Sequence, residues 1–190
     1  MANSCFDPGA GESNHHMAFD MLADPFRRRL LSAGILTIGG GALAAGVGCA
    51  VRMFNPAVRV VGVQTESYPA LAQSFHAGRP VWVASRPTIC DGVAVPFTTD
   101  QLYPLLRETV DRVAVVSEER VRTAIRSLAE QTRLVAEGAG ALALAAALDT
   151  PLEDRGLSVC LVTGGNIPSK LLDELLARPA DGERGAPNTP

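Results

Sequence analysis

Short apolar runs alternate along the chain with stretches of helical spacing, and most junctions carry turn residues. Ala33-Gly-Ile-Leu-Thr-Ile38 is a compact apolar run; three glycines follow it, and Ala42 to Phe54 then places apolar residues three and four apart. This reads as strand, turn and helix. Val58-Arg-Val-Val-Gly-Val63 is the next strand, short and β-branched as buried parallel strands are. Two strands flanking one helix make a β-α-β unit with a right-handed crossover, and so predict a parallel sheet.

Downstream, the pattern predicts a helix from about Pro69 to Ala77, an irregular stretch through Thr88-Ile-Cys-Asp-Gly92, a helix from about Asp100 to Val110 and a strand from Arg112 to Val116. Ser117 offers an N-cap and Glu118 and Glu119 early acids for a helix running towards Gln131. Ala139 to Leu148 is a small-residue helix introduced by Glu137-Gly-Ala-Gly140. Leu157 to Val162 is an apolar strand closing on Thr163-Gly-Gly-Asn166, and Ser169 to Ala177 is a last helix. The expected organisation is a disordered or foreign start over 1–20, one α/β unit over 21–178 and a disordered tail over 179–190. The fold class is α/β, three-layer, with a mostly parallel sheet flanked by helices.

Composition narrows this picture. Apolar residues make up 47% and aromatics 5% of 190 residues, so the core rests on small and aliphatic side chains. A formal net charge of -3 leaves no electrostatic footprint for a polyanion, and nucleic acid is an unsuitable partner. Cys5, Cys49, Cys90 and Cys160 are scattered with no CxxC pair, which disfavours a zinc site and fits reduced thiols in the cytoplasm. His15, His16 and His76 read as solvated or packed imidazoles, so no metal site is expected. Arg27-Arg28-Arg29 ahead of the apolar run Leu30 to Val51 imitates an export leader ending at Cys49, but three glycines interrupt the run where a signal or membrane helix wants helix formers. No membrane association is expected.

Two segments could carry chemistry. Ile38-Gly-Gly-Gly-Ala-Leu43 lies between a strand and a helix, where bare backbone amides and the positive helix end suit a phosphate dianion. The motif is neither a P-loop nor the spaced glycine fingerprint of a dinucleotide fold, and tight packing without a ligand explains it too. Thr163-Gly-Gly-Asn166 closes the last strand, and the carboxyl ends of parallel strands are where α/β sheets bind ligands. A turn with a left-handed glycine explains the same residues.

These segments belong to a series. Ile38-Gly-Gly-Gly-Ala-Leu-Ala-Ala-Gly46, Asn55-Pro-Ala-Val-Arg-Val-Val-Gly-Val63, Gly78-Arg-Pro80, Thr88-Ile-Cys-Asp-Gly92, Val110-Asp-Arg-Val-Ala-Val-Val-Ser-Glu118, Val135-Ala-Glu-Gly-Ala-Gly-Ala141 and Leu161-Val-Thr-Gly-Gly-Asn166 follow one another in order. From about Ala23 to Leu176 the chain resembles the threonine and serine dehydratases and serine racemases, the fold-type II enzymes that use pyridoxal 5'-phosphate (PLP), in their C-terminal part.

The resemblance implies roles for matching positions. Gly39, Gly40, Gly41, Ala42 and Leu43 would offer amides to the PLP phosphate, with Ala42 standing where many relatives carry a fourth glycine. Gly92 would pack its backbone near the cofactor ring, and Thr163 would hydrogen-bond the pyridine nitrogen. Glu137 matches an acidic position of the family, and a helix N-terminus explains an acid there equally well. Gln64 and Ala70 stand where some serine racemase-like members carry cation-binding acids, and Glu66 alone cannot replace that shell.

The lysine that forms the Schiff base in this family, in a Ser-Phe-Lys setting, and the Ser-x-Gly-Asn-His loop are both missing; the one lysine is Lys170. No catalytic residue is therefore assigned. The implied function is that of a PLP-dependent ammonia-lyase, eliminating the β-hydroxyl of an amino acid to give a 2-oxo acid and ammonia, present as a C-terminal piece inactive alone. The alternatives are a non-catalytic remnant or split-enzyme half that docks on a lysine-bearing chain or its own copy, and an exported lipoprotein-like binding domain.

Overall fold

A computed structural model describes residues 31–177 of the chain. Four parallel strands form one sheet: β1 (Ala33–Thr37), β2 (Arg59–Thr65), β3 (Arg112–Val116) and β4 (Ser158–Cys160), in the order β3-β2-β1-β4. The helices are α1 (Ala42–Phe54), α2 (Ala70–Ala77), α3 (Tyr103–Thr109), α4 (Glu118–Ser127), α5 (Gly138–Asp149), α6 (Leu152–Arg155) and α7 (Ser169–Ala177). The apolar run from Leu31 to Val51 is thus strand, glycine turn and helix, and among the described residues no helix is long and apolar enough to cross a membrane.

The central strands are buried on both faces, which is why β1 reads as a continuous apolar run rather than an alternating one. Leu36, Ile38, Val58 and Val60 point to one face and pack with α1, α3 and Leu71 of α2. Ala33, Ile35 and Val63 point to the other, against α4, α5 and Leu175 of α7. The result is the three-layer α/β arrangement with a parallel sheet that the strand pattern predicts.

Local chemistry accounts for the boundaries. Ser117 Oγ accepts the Arg120 amide at the start of α4, as its sequence signature implies. Helix α2 has no cap of its own; Gln64 Oε1 reaches across from β2 and accepts the amides of Leu71 and Ala72 at 2.9 and 3.0 Å. At the opposite end of the sheet, Arg52 in the last turn of α1 donates to the carbonyls of Val58 and Thr109 and to Asp111 Oδ2 at 2.7 Å, and Asp111 Oδ2 accepts the Val60 amide.

Three expectations differ in detail. The helix from Asp100 begins at Tyr103, because Thr99 Oγ1 first turns the chain by accepting the Leu102 amide. The helix expected to reach Gln131 is regular only to Ser127 and widens into a π-turn over Leu128–Thr132, which Arg133 ends at φ 63°. The last strand is three residues rather than six: among the described residues β4 lies at the edge with β1 as its one partner, although the Leu161 amide still reaches the Ile35 carbonyl. The short helix α6 was not anticipated. The expectations for 1–20 and 179–190, and for Arg27 to Arg29, lie outside the described residues.

Candidate functional site

The carboxyl end of β1 opens into a cleft of about 350 Å³ bounded by four segments that the sequence keeps far apart. Residues 37–44 form its floor, Gly92 and Val93 one wall, and Glu137, Ala139, Thr163 and Gly164 the other. All seven predicted positions, Gly39, Gly40, Gly41, Ala42, Leu43, Gly92 and Thr163, line this one cleft.

The glycine turn is built for close backbone approach. Gly41 is the N-cap of α1 at φ 106°, a left-handed conformation that disfavours side chains, and a β-carbon on it would lie 2.6 Å from Leu106 Cδ1. Gly39 lies under Val93, whose Cα would be 3.2 Å from a β-carbon. Gly40 is exposed and a β-carbon on it would meet nothing within 4 Å, so it would project into open space. Ala42 sits inside the first turn of α1, where its φ is negative and a methyl is tolerated. Among the described residues no side chain caps α1 and no acid stands in its first turn, so the amide end of a 13-residue helix is presented to the cleft uncapped.

The walls are drawn together by the first turn of α5. A β-carbon on Gly138 would collide with the Ile89 carbonyl, and one on Gly140 with the carbonyl of Thr163 and, at 2.6 Å, that of Gly164. Glu137 is the N-cap residue of α5 but does not cap it: its Oε2 accepts the Asn166 amide at 3.0 Å and its own amide donates to the Gly164 carbonyl. The acid is therefore a tether between α5 and the turn bearing Thr163.

Polar contacts that sequence reasoning missed hold the segment leading into the Gly92 wall. Glu118 at the start of α4 accepts from Thr65 Oγ1 at 2.6 Å, Thr88 Oγ1 at 2.5 Å, the Ile89 amide at 3.0 Å and Ser67 Oγ at 3.3 Å. Burial opposes its ionisation, but these hydrogen bonds outweigh it and hold the carboxyl below its ordinary value. Glu66 in turn accepts the Glu118 amide. Cys90, fully buried beside them, has its thiol pushed up to about 12 by burial and by the Glu118 charge, so it is an inert packing residue. Thr37 is 6% exposed, lines the cleft, and its Oγ1 finds no hydrogen-bond partner among the described residues. Its place between apolar neighbours in a strand gave no signal of this. Lys170 is exposed on α7 and is not among the residues lining the cleft. No cluster of three or more potential metal ligands occurs among the described residues.

Residues 1–164 match the family model described as pyridoxal-phosphate dependent enzyme. The chain belongs to this family. Among curated relatives it is 41% identical over 143 residues to an L-threonine ammonia-lyase of Thermotoga maritima, covering 75% of this chain and 35% of that protein. It is 39% identical over 136 residues to the catabolic L-threonine dehydratase TdcB of Escherichia coli K12, covering 70% and 41%. The chain therefore spans little more than a third of the length of such members. Among solved structures, a threonine deaminase from T.th. superposes with a TM-score of 0.76 at 34% identity, over 82% of this chain and 57% of that one. Maize serine racemase gives the same score at 28% identity, over 85% and 50%. Pyridoxal phosphate is the family's cofactor, and an open turn of three glycines before an uncapped helix end is a fitting seat for its phosphate.

Proposed function

We propose that the chain supplies the phosphate cup and ring wall of a PLP-dependent ammonia-lyase acting on hydroxy amino acids of the threonine and serine type. The observation that carries this reading is the convergence of the glycine turn, Gly92 and Thr163 on one cleft at the carboxyl end of the sheet. Gly39, Gly40 and Gly41 bring bare backbone to the phosphate, and the first-turn amides of Ala42 and Leu43 complement its charge. Thr163 offers its hydroxyl to the pyridine nitrogen, a neutral partner that leaves the ring unprotonated. Gly92, without a side chain, leaves room for the ring. When bound, the cofactor supplies an electron sink for loss of the α-proton and β-hydroxyl.

The amine that would anchor the cofactor covalently and move the α-proton would come from another polypeptide segment, because the one lysine, Lys170, is not among the residues lining the cleft. A further segment of a longer polypeptide, a complementary lysine-bearing chain, or a homologous subunit that lends its own would supply it. A non-catalytic docking module is the second reading, favoured by the same position of Lys170. A cytoplasmic location accords with the free thiols of Cys90 and Cys160.

Titration of the 190-residue chain with PLP, followed by isothermal calorimetry, tests the assignment. The wild type is expected to bind without forming a borohydride-stable adduct. Gly40→Val should fold with nearly unchanged stability, since its side chain meets open space, yet lose affinity by about tenfold or more as that side chain occupies the phosphate seat. Equal affinity in wild type and Gly40→Val, or an adduct mapped to Lys170, would overturn it. Restored dehydratase activity on mixing with a lysine-bearing partner would separate the enzyme from the docking module.

A further inference from the structure

We propose that Thr37 is a further ligand contact: its hydroxyl donates a hydrogen bond to an acceptor on the molecule held in the cleft, an inference that rests on the PLP reading above. Thr37 ends β1, two residues before Gly39. By the alternation of the strand its side chain shares the face of Ala33 and Ile35, and it stands beside Val63 of β2 in register. Every packing duty at this position is met by a β-branched shape, and valine has the same shape without the hydroxyl. The hydroxyl is nevertheless present, buried to 6% exposure and unpartnered among the described residues. Buried polar atoms left without a partner are uncommon because each forfeits its bond to water.

The place of the orphan gives it meaning. Apart from Thr163, Thr37 is the only hydroxyl-bearing side chain among the residues lining the cleft, and it stands where the core face of β1 meets the glycine turn. A ligand phosphate or ring substituent entering the cleft would present the acceptor that the protein withholds. The hydroxyl is thus a donor kept ready at a cost to the stability of the unliganded chain, so one substitution should move stability and affinity in opposite directions. A purely structural threonine would not produce that crossing.

The test compares wild type, Thr37→Val and Thr37→Ser in the full chain, by thermal unfolding without ligand and by calorimetric titration with PLP. Thr37→Val should raise the unfolding midpoint by roughly 2–4 °C and weaken PLP about tenfold, whereas Thr37→Ser should keep near-wild-type affinity. Parallel titrations with pyridoxal and with inorganic phosphate locate the acceptor. A loss confined to phosphate-bearing ligands places it on the phosphate, a loss shared by pyridoxal places it on the ring, and both support the proposal. Wild-type affinity in Thr37→Val, or equal weakening in Thr37→Ser and Thr37→Val, overturns it while leaving the PLP reading intact. If the wild type binds no PLP at millimolar concentration, the PLP reading itself falls and takes this inference with it.

Discussion

At Glu118 a half-buried carboxylate gathers three hydroxyls and one backbone amide from β2, the following turn and the Thr88–Cys90 loop. Its carboxyl is held below the ordinary value near 4.5, so the sign of its pH effect is determined. Its stabilising contribution is fully present above that value and is lost as pH falls through the lower value of the folded state. Glu118→Gln replaces one acceptor oxygen by a donor facing other donors. It should cost roughly 1–3 kcal/mol at neutral pH, toward the low end because the group is partly solvated. Urea midpoints measured from about pH 7 down to about pH 3.5 should show a shallower acid-side decline in the variant. Parallel curves would mean that other carboxylates control acid unfolding. No local pattern identifies this residue: Glu118 reads as a first-turn acid after an N-cap, which it is, and its partners at Thr65, Ser67 and Thr88 are joined to it by the fold alone.

Among the elements, α5 shows how an ordinary rule reverses sign. Glycine inside a helix usually weakens it relative to alanine by about 0.5–1 kcal/mol. At Gly140 the added methyl would enter the space of the Thr163 and Gly164 carbonyls, which are backbone and cannot swing aside. Gly140→Ala should therefore destabilise by roughly 1–3 kcal/mol, as overpacking does, and displace the turn that carries Thr163. Chemical denaturation checks the first effect and loss of PLP affinity the second; a more stable variant with unchanged affinity would contradict both. The elements themselves were legible where chemistry is local, as at the glycine turn before α1, the Ser117 cap and the β-branched β2 and β3. They were not legible where tertiary contacts decide: the π-turn after Ser127, the shortening of edge strand β4, and α6.

At the scale of the whole molecule, the described residues leave both edges of the sheet, β3 and β4, without a further strand. Val115 on β3 is 45% exposed, and Leu157 and Val162, flanking β4, are 54% and 36% exposed. Unpaired backbone beside exposed aliphatic side chains invites pairing with another chain. Size-exclusion chromatography with light scattering should show self-association rising with concentration across the micromolar range. A monomer throughout, with one sharp thermal transition, would indicate that the chain covers these edges itself. The order of the motifs foretold which segments meet at the cleft, whereas the state of the edges depends on strand pairing that no single run of residues encodes.

The Arg52 cluster lies at the far end of α1 from the glycine turn, and distance gives it leverage. Thirteen residues at about 1.5 Å each make a rod of about 20 Å, so a tilt of about 3° at the Arg52 end swings the opposite end by about 1 Å. Displacements of that size are enough to spoil the alignment on which bound-state chemistry depends. The guanidinium that grips Val58, Thr109 and Asp111 ties down one end of this rod, so contacts on the opposite rim of the sheet help hold the aim of the amides at the cleft.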